Sequence, residues 1–376
     1  MTTMPLSRAM AAENAAARPA PPAPSRFVRT RQQLFASPGA GVVTVVAALA
    51  LAAILWPAIR WALLDAVWYA PEGAAACAQP GAGACWAVIA EKYAVILFGN
   101  YPYDEQWRGM LIVGVWIFWA LLSALRFVPV RIRLAGWALI FVGSILLMGG
   151  GVFGLTPVGT DKWGGLPLTF LIFGGTVAGG LPLAVALALG RRSRLPILAA
   201  LCTGIIEFTR GVPLLVVLFF AALILPLFLP PELNVNKLVR AEIGMIVFFA
   251  AYAAEAIRGG LQSLPNGQDE AAKALGLSYV LRLRKVILPQ AIAAALPSLF
   301  NDIVRAFKNT TFFSILGLFD VLGATKIALQ DPEWIRYTTE GYLFIFALYF
   351  VFGSGLSLYG RALERAHLTR LRKAGK

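Results

Sequence analysis

Long apolar stretches separated by short polar segments dominate this chain of 376 residues. A helix needs about 20 apolar residues to cross about 30 Å of hydrocarbon. The hydropathy pattern therefore predicts an all-α protein, a polytopic helical bundle with about eight membrane-spanning helices. These spans are expected near residues 41–59, 109–126, 134–154, 167–189, 207–229, 241–257, 300–322 and 341–360.

The composition agrees with a membrane protein, since 59% of the residues are apolar, 14% are charged and the mean hydropathy is +0.73. Soluble proteins carry about 25% charged residues. One His and three Cys leave little material for catalysis or for a metal site, so we expect no catalytic residue and no metal. Residues 1–40 are rich in Ala and Pro, which predicts a disordered tail.

The placement of charge orients the chain. With the amino terminus in the cytoplasm, the inside segments hold 22 of the 33 Lys and Arg against four acids, whereas the outside segments hold seven bases and ten acids. Because inside loops are enriched in bases, we expect both termini to be cytoplasmic. Basic clusters such as 191–194 and the tail 361–376 then contact anionic membrane lipid, and the net charge of +14 needs no nucleic-acid partner.

The outside segment 65–108 contains Cys77 and Cys85 in the stretch CAQPGAGAC. In an oxidising compartment these two cysteines can form a small disulfide loop. Two unpaired cysteines are the alternative.

Charged residues interrupt the apolar pattern in IIEFTRGVPLLVV, residues 205–217. Glu207 and Arg210 are spaced i, i+3 and can pair on one helical face. Gly211 and Pro213 then break the helix. The stretch is either a bend beside a transport path or an ion pair that marks the membrane edge.

A second polar stripe occurs in LFNDIVRAFKNTTFFS, residues 299–314. Asn301, Arg305 and Lys308 share one helical face, and Asp302 reaches Arg305 at i+3. We expect this stripe to be buried against partner helices or to line a pore, with a helix interruption at 308–311. Transporters place substrate sites at such interruptions; hydrogen bonding between helices is the alternative. The substrate-path candidates are Glu207, Arg210, Asn301, Asp302, Arg305, Lys308, Asn309 and Thr310.

The segment 258–290 is predicted to lie in the cytoplasm and contains SLPNGQDEAAKALGLSYVLRLRKVILPQA. After a turn at 265–267, Asp269 is expected to cap a helix with Glu270 in its first turn and with small alanines on its exposed side. Gly276 supplies a left-handed stop. Ser278 can cap a second helix, 279–288, which Pro289 ends or bends. Two short helices joined at a glycine suit insertion into a groove of a partner protein.

The same segment resembles the inner-membrane permease subunits of binding-protein-dependent ABC importers. Their cytoplasmic motif is EAA, three residues, G, nine residues, I, one residue, LP. Glu270, Gly276, Leu288 and Pro289 match the motif, and Val286 replaces the usual Ile. The resemblance implies a type I permease core in which this segment docks on the ATPase subunit. The implied coupling residues are Asp269, Glu270, Ala271, Ala272, Gly276, Leu277, Val286, Leu288 and Pro289.

Further stretches narrow the resemblance, which covers about 160–360. GQDEAAKALGLS, VILPQA, EFTRGVPLL and FKNTTFFSILG are similar to polar amino-acid permeases of the histidine/glutamine type, although Thr311 and Phe312 replace the commoner Ser and Leu. The N-terminal spans and residues 85–108 resemble a permease of the bacterial general L-amino-acid importer. The implied organisation is three accessory helices in 41–165 with a periplasmic loop at 65–108, and a permease domain at 166–360.

The resemblance also implies the partners: two ATP-binding subunits, a second homologous permease, a periplasmic binding protein and an amino-acid substrate, at the bacterial inner membrane. The chain has no G-x-x-x-x-G-K-[ST] motif, so we expect no cofactor here and ATP with Mg in the partner ATPase. An ion-coupled transporter is the alternative, for which Asp302 is the only good ion-binding acid. A membrane enzyme is disfavoured, because the single His is His367, in the tail.

Overall fold

The computed structural model describes residues 25–125, 127–152 and 154–374. The described chain is helical, and β-structure within it is confined to two isolated bridges, Val67 with Cys85 and Gly165 with Asp320. Turns of 3-10 or π-helix connect several of the α-helices. The α-helices are α1 Arg26–Leu34, α2 Pro38–Ile59, α3 Ala87–Phe98, α4 Gln106–Ser123, α5 Val130–Gly149, α6 Gly165–Arg191, α7 Pro196–Gly211, α8 Leu214–Phe219, α9 Lys237–Gln262, α10 Gly267–Ala274, α11 Tyr279–Arg282, α12 Leu288–Asn309, α13 Val321–Ala328 and α14 Thr338–Ala374.

Six helical stretches in the described ranges are long and apolar enough to cross a membrane, and a seventh is added if one bent pair counts as a span. The helix α9 is outside that set, although 26 residues at 1.5 Å each measure about 39 Å. The expected number of about eight spans is therefore approximate. The six are Pro38–Leu64, Tyr103–Ser123, Val130–Gly149, Gly165–Arg191, Tyr279–Leu316 and Ile335–Ala366.

The predicted span at 207–229 is corrected, because it is a bent pair of helices that begins earlier. Helix α7 starts at Pro196, and α7 and the stretch Leu214–Leu227 meet at an angle of 112°. Val212 adopts an extended conformation between them, as expected for the residue before Pro213. The break that Gly211 and Pro213 predict is therefore confirmed, but the helix before it begins at Pro196 and not near residue 207.

Two units make up the described chain, and the first contains residues 25–66 with 81–84. Its helices α1 and α2 overlap the tail that was expected to be disordered up to residue 40, so that expectation is wrong for 26–34. The Ser25 hydroxyl caps α1 by accepting from the Val28 N–H at 3.4 Å, and Ser37 caps α2 through the Ala40 N–H at 3.2 Å. The rest of the predicted tail, 1–24, lies outside the described residues.

The second unit, residues 67–80 and 85–374, is built around α9, which packs against α6, α7 and α12. Small residues allow this close packing, as they do between membrane helices generally. Ala250 and Ala254 on α9 are fully buried, and a Cβ at Gly180 of α6 would collide with the Phe249 ring.

The predicted outside loop 65–108 is not an irregular loop, because α3 lies within it and packs against α13 and α6. We call residues 67–80, 85–98 and 321–340 the outer cap. Cys77 and Cys85 form a disulfide there, with Cα atoms 5.6 Å apart, which decides between the two alternatives. The Cys85 N–H donates to Glu340 at 2.9 Å, so the disulfide loop is fixed to the start of α14.

An ion pair also fastens the outer cap. Lys92 Nζ of α3 lies 2.7 Å from Asp331 Oδ2 in the connection after α13. The hydrogen bond from Lys92, with a further one from the Glu333 N–H, holds the pKa of the Asp331 carboxyl below its usual value.

Candidate functional site

The segment after α9 forms a corner with a defined backbone geometry. Helix α10 ends in a Schellman motif, in which the Leu277 N–H donates to the Ala272 carbonyl at 3.2 Å and the Gly276 N–H donates to the Lys273 carbonyl at 2.9 Å. Gly276 has φ +72°, a conformation that glycine adopts without strain. The left-handed stop expected at Gly276 is therefore confirmed.

The start of α10 differs from the expectation that Asp269 caps it. Asn266 occupies the position before the helix, and Asp269 and Glu270 both lie in the first turn, where they face the positive end of the helix dipole. The Asp269 carboxylate pairs with Arg282 of α11 at 3.0 Å. This ion pair holds α10 and α11 together across the glycine corner.

The corner exposes apolar side chains to water. Small alanines lie on the exposed side as expected, since Ala271 and Ala274 are exposed. Ala272 is not one of them, because it faces inward and is only 4% exposed. Leu275 is 79% exposed, and Tyr279 beside it is also largely exposed. Exposed large apolar groups outside the bilayer are typical of a surface that a partner covers.

The second half of the segment is continuous with a membrane helix. Ser278 caps α11 as expected, through the Leu281 N–H at 3.4 Å. Pro289 does not end that helix. The helical stretch continues through a π-helical turn at Leu283–Ile287, and Pro289 lies in the first turn of α12, where a proline is tolerated. Leu277, Val286 and Leu288 are half-buried, whereas Pro289 is exposed. A displacement of the corner would therefore act directly on α12.

A cluster of charges joins the helices above this corner. The Glu255 carboxylate of α9 lies 2.6 Å from Arg191 of α6, 2.9 Å from Arg258 and 3.7 Å from Arg210 of α7. Glu207 pairs with Arg191 at 2.9 Å, so the expected Glu207–Arg210 pair is replaced by contacts between helices. The cluster connects three helices through one carboxylate.

Aromatic and charged groups continue the cluster along α9 and α12. The Arg305 guanidinium lies 4.8 Å from the centre of the Tyr252 ring, and the Arg210 guanidinium lies 5.6 Å from it. Arg305 also pairs with Asp302, as the i, i+3 spacing predicts. An open depression of about 230 Å³ lies beside these groups, and Arg210 contacts Tyr252 without lining it. Its lining residues are Met245, Phe248, Phe249, Tyr252, Asp302, Arg305, Ala306 and Asn309. We call it the inner depression.

The predicted polar stripe of α12 is not buried within this chain. Asn301, Arg305 and Lys308 are exposed, whereas Asp302 is buried. The expected interruption is present, because α12 changes to a 3-10 helix at Thr310. The helical stretch begins at Tyr279, however, and not near residue 300 as predicted.

The interruption is held by a buried network of hydroxyl and carboxyl groups. Thr310 Oγ1 donates to the Phe307 carbonyl at 2.9 Å and lies 3.1 Å from the Tyr349 hydroxyl, which donates to Asp320 at 3.2 Å. Tyr349 and Asp320 are not among the residues that the sequence predicts for a site, because their partners are distant in sequence.

Glu255 and Tyr252 are also absent from the predicted site residues, although the sequence around Glu255 contains a pattern that could have pointed to it. Glu255 lies in an apolar stretch with Arg258 at i+3, which is the spacing that singled out Glu207 and Arg210.

These features define a class: a multi-pass helical membrane protein with charged groups between its helices and an exposed corner that continues into one of them. The family described as "Binding-protein-dependent transport system inner membrane component" matches residues 180–368. The chain belongs to this family. It is therefore a permease subunit of an ABC importer and not an ion-coupled transporter, and ATP hydrolysis belongs to a separate subunit.

Individual relatives match over nearly the full length. The inner membrane amino-acid ABC transporter permease protein YhdY of Escherichia coli (strain K12) is 41% identical over 90% of this chain and 92% of its own. The glutamate/glutamine/aspartate/asparagine transport system permease protein BztC of Rhodobacter capsulatus is 34% identical over 94% of this chain and 96% of its own. A solved amino acid ABC transporter with histidines is 30% identical over 53% of this chain and 91% of that chain, with a TM-score of 0.48.

Proposed function

We propose that this chain is a permease subunit for the uptake of polar or broad-range L-amino acids. Two relatives that match over at least nine-tenths of the chain are amino-acid permeases by name, one of them for glutamate, glutamine, aspartate and asparagine. Its partners would be two ATP-binding subunits, a second homologous permease and a periplasmic binding protein. ATP and Mg would bind in the ATP-binding subunits.

The exposed corner supports docking on the ATP-binding subunit, and it is the observation on which the proposal depends. Asp269 and Arg282 keep α10 and α11 as one rigid element, and Leu275 and Tyr279 offer apolar surface for a partner groove. Since α12 continues from this element, closure of the ATPase would tilt α12 and switch the opening of a path through the membrane. The segments on the same side as this corner hold 22 of the 33 Lys and Arg, and this excess of bases supports cytoplasmic termini.

The inner depression supports a substrate path between this chain and the second permease. A free amino acid carries a carboxylate and an ammonium, and both need partners away from water. Arg305 and Arg210 can bind the carboxylate, and Asp302 can bind the ammonium. The exposed face of α12 would then face the second permease across the path, with Asn301, Lys308 and Asn309 along it. Thr310 is buried against Tyr349 and is removed from the path candidates.

Cysteine labelling tests the docking. In membranes that contain both permeases, single cysteines at Ala271 or Ala274 should react with a water-soluble maleimide and become protected when the ATP-binding subunit assembles. Arg194→Cys is the control, because Arg194 is exposed in the connection between α6 and α7 and is not part of the corner. Equal labelling of Ala271→Cys before and after assembly would contradict the docking, as would labelling only from the opposite side of the membrane.

Uptake by the reconstituted complex tests the path. Arg305→Gln should reduce amino-acid uptake strongly while the complex still assembles, since an amide cannot replace the charge. Arg305→Lys should restore part of it. Normal uptake with Arg305→Gln would exclude this residue from the path.

A further inference from the structure

A second cavity lies where three connections of the second unit meet. It is formed by the connection between α5 and α6, the beginning of α9, and the residues that follow the 3-10 segment Thr310–Leu316. It contains about 630 Å³ of space, part of it open to solvent. Its lining residues are Thr160, Asp161, Trp163, Asn236, Lys237, Leu238, Gly317, Leu318 and Phe319.

This cavity lies far from the coupling corner. Lys237 is the first residue of α9, and the corner follows the last residue, Gln262, so the two are separated by about 39 Å along the helix axis. That distance exceeds the hydrocarbon thickness of about 30 Å. If the corner is cytoplasmic, the cavity opens on the side from which an importer receives its substrate.

The cavity carries one charge of each sign beside apolar surface. In the described part of the chain, no ion pair is found for Lys237 or for Asp161. Gly159 leaves room for the Asp161 carboxylate, because a Cβ at this position would collide with Oδ1. Trp163 presents an apolar ring, since its Nε1 donates to the Val158 carbonyl at 3.1 Å.

We propose that this cavity is an outer binding site for a zwitterionic amino acid. Lys237 binds the α-carboxylate, and Asp161 binds the α-ammonium. Trp163, Leu318 and Phe319 contact the side chain of the amino acid, which is the usual combination of apolar walls and a few polar groups in small-molecule sites. The inference rests on the proposed function, because it takes an amino acid as the substrate.

One helix lines both the outer site and the inner depression, and one 3-10 segment connects residues that line them. Both are lined by α9, where Lys237 and Tyr252 are 15 residues and therefore about 22 Å apart along the helix. The 3-10 segment lies between them, with Asn309 at one end lining the inner depression and Gly317 at the other lining the outer cavity. The amino acid would therefore bind first at the outer cavity and then pass the 3-10 segment.

A local protection assay tests the outer site. In the complete complex without binding protein, Leu318→Cys is labelled by a small water-soluble thiol reagent, and L-glutamine is added as the probe. Cys202 is buried and Cys77 is bonded to Cys85, so background labelling is low. L-Glutamine should slow the labelling of Leu318→Cys.

Charge variants in the Leu318→Cys background identify the side chains that recognise the amino acid. Lys237→Gln and Asp161→Asn should each raise the half-protecting concentration about tenfold, the loss of one charge-assisted hydrogen bond at a partly hydrated site. Lys162→Gln is the matched control, because Lys162 is a neighbouring exposed lysine outside the lining, and it should change little. Glutaramic acid, which lacks the ammonium, should protect through Lys237 and be insensitive to Asp161→Asn.

The outcomes separate this inference from the proposed function. Uptake of L-glutamine by the Leu318→Cys complex, with no protection of the cysteine, overturns the outer site and leaves the proposed function intact. Protection that persists in Lys237→Gln also overturns it. If Lys237→Gln weakens only the docking of the binding protein, the cavity contacts that protein and not the amino acid. Absence of uptake of any amino acid by the unmodified complex would instead contradict the proposed function.

Discussion

Substitution of Gly276 separates two physical reasons for a glycine at the corner between α10 and α11. The residue has φ +72°, and an added Cβ would meet no atom of this chain within 4 Å. Within this chain, any free-energy cost of a side chain at position 276 therefore comes from the backbone conformation and not from a steric clash. A left-handed conformation costs an ordinary residue about 1–2 kcal/mol, whereas Asn adopts it with little penalty.

The two substitutions therefore predict different effects on assembly. If only the backbone conformation matters, Gly276→Ala should weaken binding of the ATP-binding subunit by up to about 5- to 30-fold, the factor that corresponds to 1–2 kcal/mol. Gly276→Asn should then bind within about twofold of the unmodified chain, since Asn tolerates φ > 0. If the partner packs directly on Gly276, both variants lose binding, and the larger Asn loses more.

The measurement is titration of the purified permease pair in lipid nanodiscs with the ATP-binding subunit, with ATPase stimulation as a second readout. Leu264→Ala, a half-buried position before the corner, controls for general destabilisation. Equal affinity for Gly276→Ala, Gly276→Asn and the unmodified chain would refute the reasoning, because neither strain nor contact would then matter at the corner.

Three further predictions concern the outer part of the fold. Gly165→Ala should destabilise the protein by at least about 2 kcal/mol, because φ is +65° and the Cβ would collide with the Leu97 carbonyl, and thermal unfolding in micelles would show it. The double substitution Cys77→Ser and Cys85→Ser should lower the free energy of unfolding by about 2–3 kcal/mol for a loop of this length. Faster proteolysis of the outer cap would show the loss. The lowered pKa of Asp331 means that its pair with Lys92 stabilises the fold above about pH 4, the usual aspartate pKa, and that this stabilisation is lost as the pH falls through the lowered value. Lys92→Met should therefore reduce the melting temperature at neutral pH and flatten its decrease in acid; an unchanged pH profile would contradict this assignment.

Local signals made the corner formed by α10 and α11 predictable from sequence. The stop at Gly276, the Ser278 cap and the helix interruption after Lys308 depend on residues within one or two turns of each other. The assignment of the helix start to Asp269 failed because the turn at 265–267 runs directly into the helix, which begins at Gly267. The sequence left open whether Pro289 ends or bends the second helix, and the structure shows that the helical stretch continues through a π-helical turn into α12.

Contacts between helices were not predictable in the same way. The spacing of Glu207 and Arg210 permits a pair within one helix, but Arg191 at the end of α6 lies close enough to bind Glu207 instead. A single sequence gives the faces of helices and not which faces meet. For the same reason, the contact between Tyr349 and Asp320 could not be predicted. The two residues are separated by 29 positions and meet only because α13 and α14 pack together.

The charged face of α12 shows why one chain is an incomplete structure in the membrane. An ionisable side chain at the centre of a bilayer costs about 2.5–3.5 kcal/mol on insertion scales. The Arg305 side chain is 47% exposed although Asp302 pairs with it, and Lys308 on the same face is exposed with no ion pair in the described part of the chain. Apolar residues would serve at both positions if lipid covered this face. The proposed second permease, across a water-containing path, would give the two charges the environment that this chain alone does not supply.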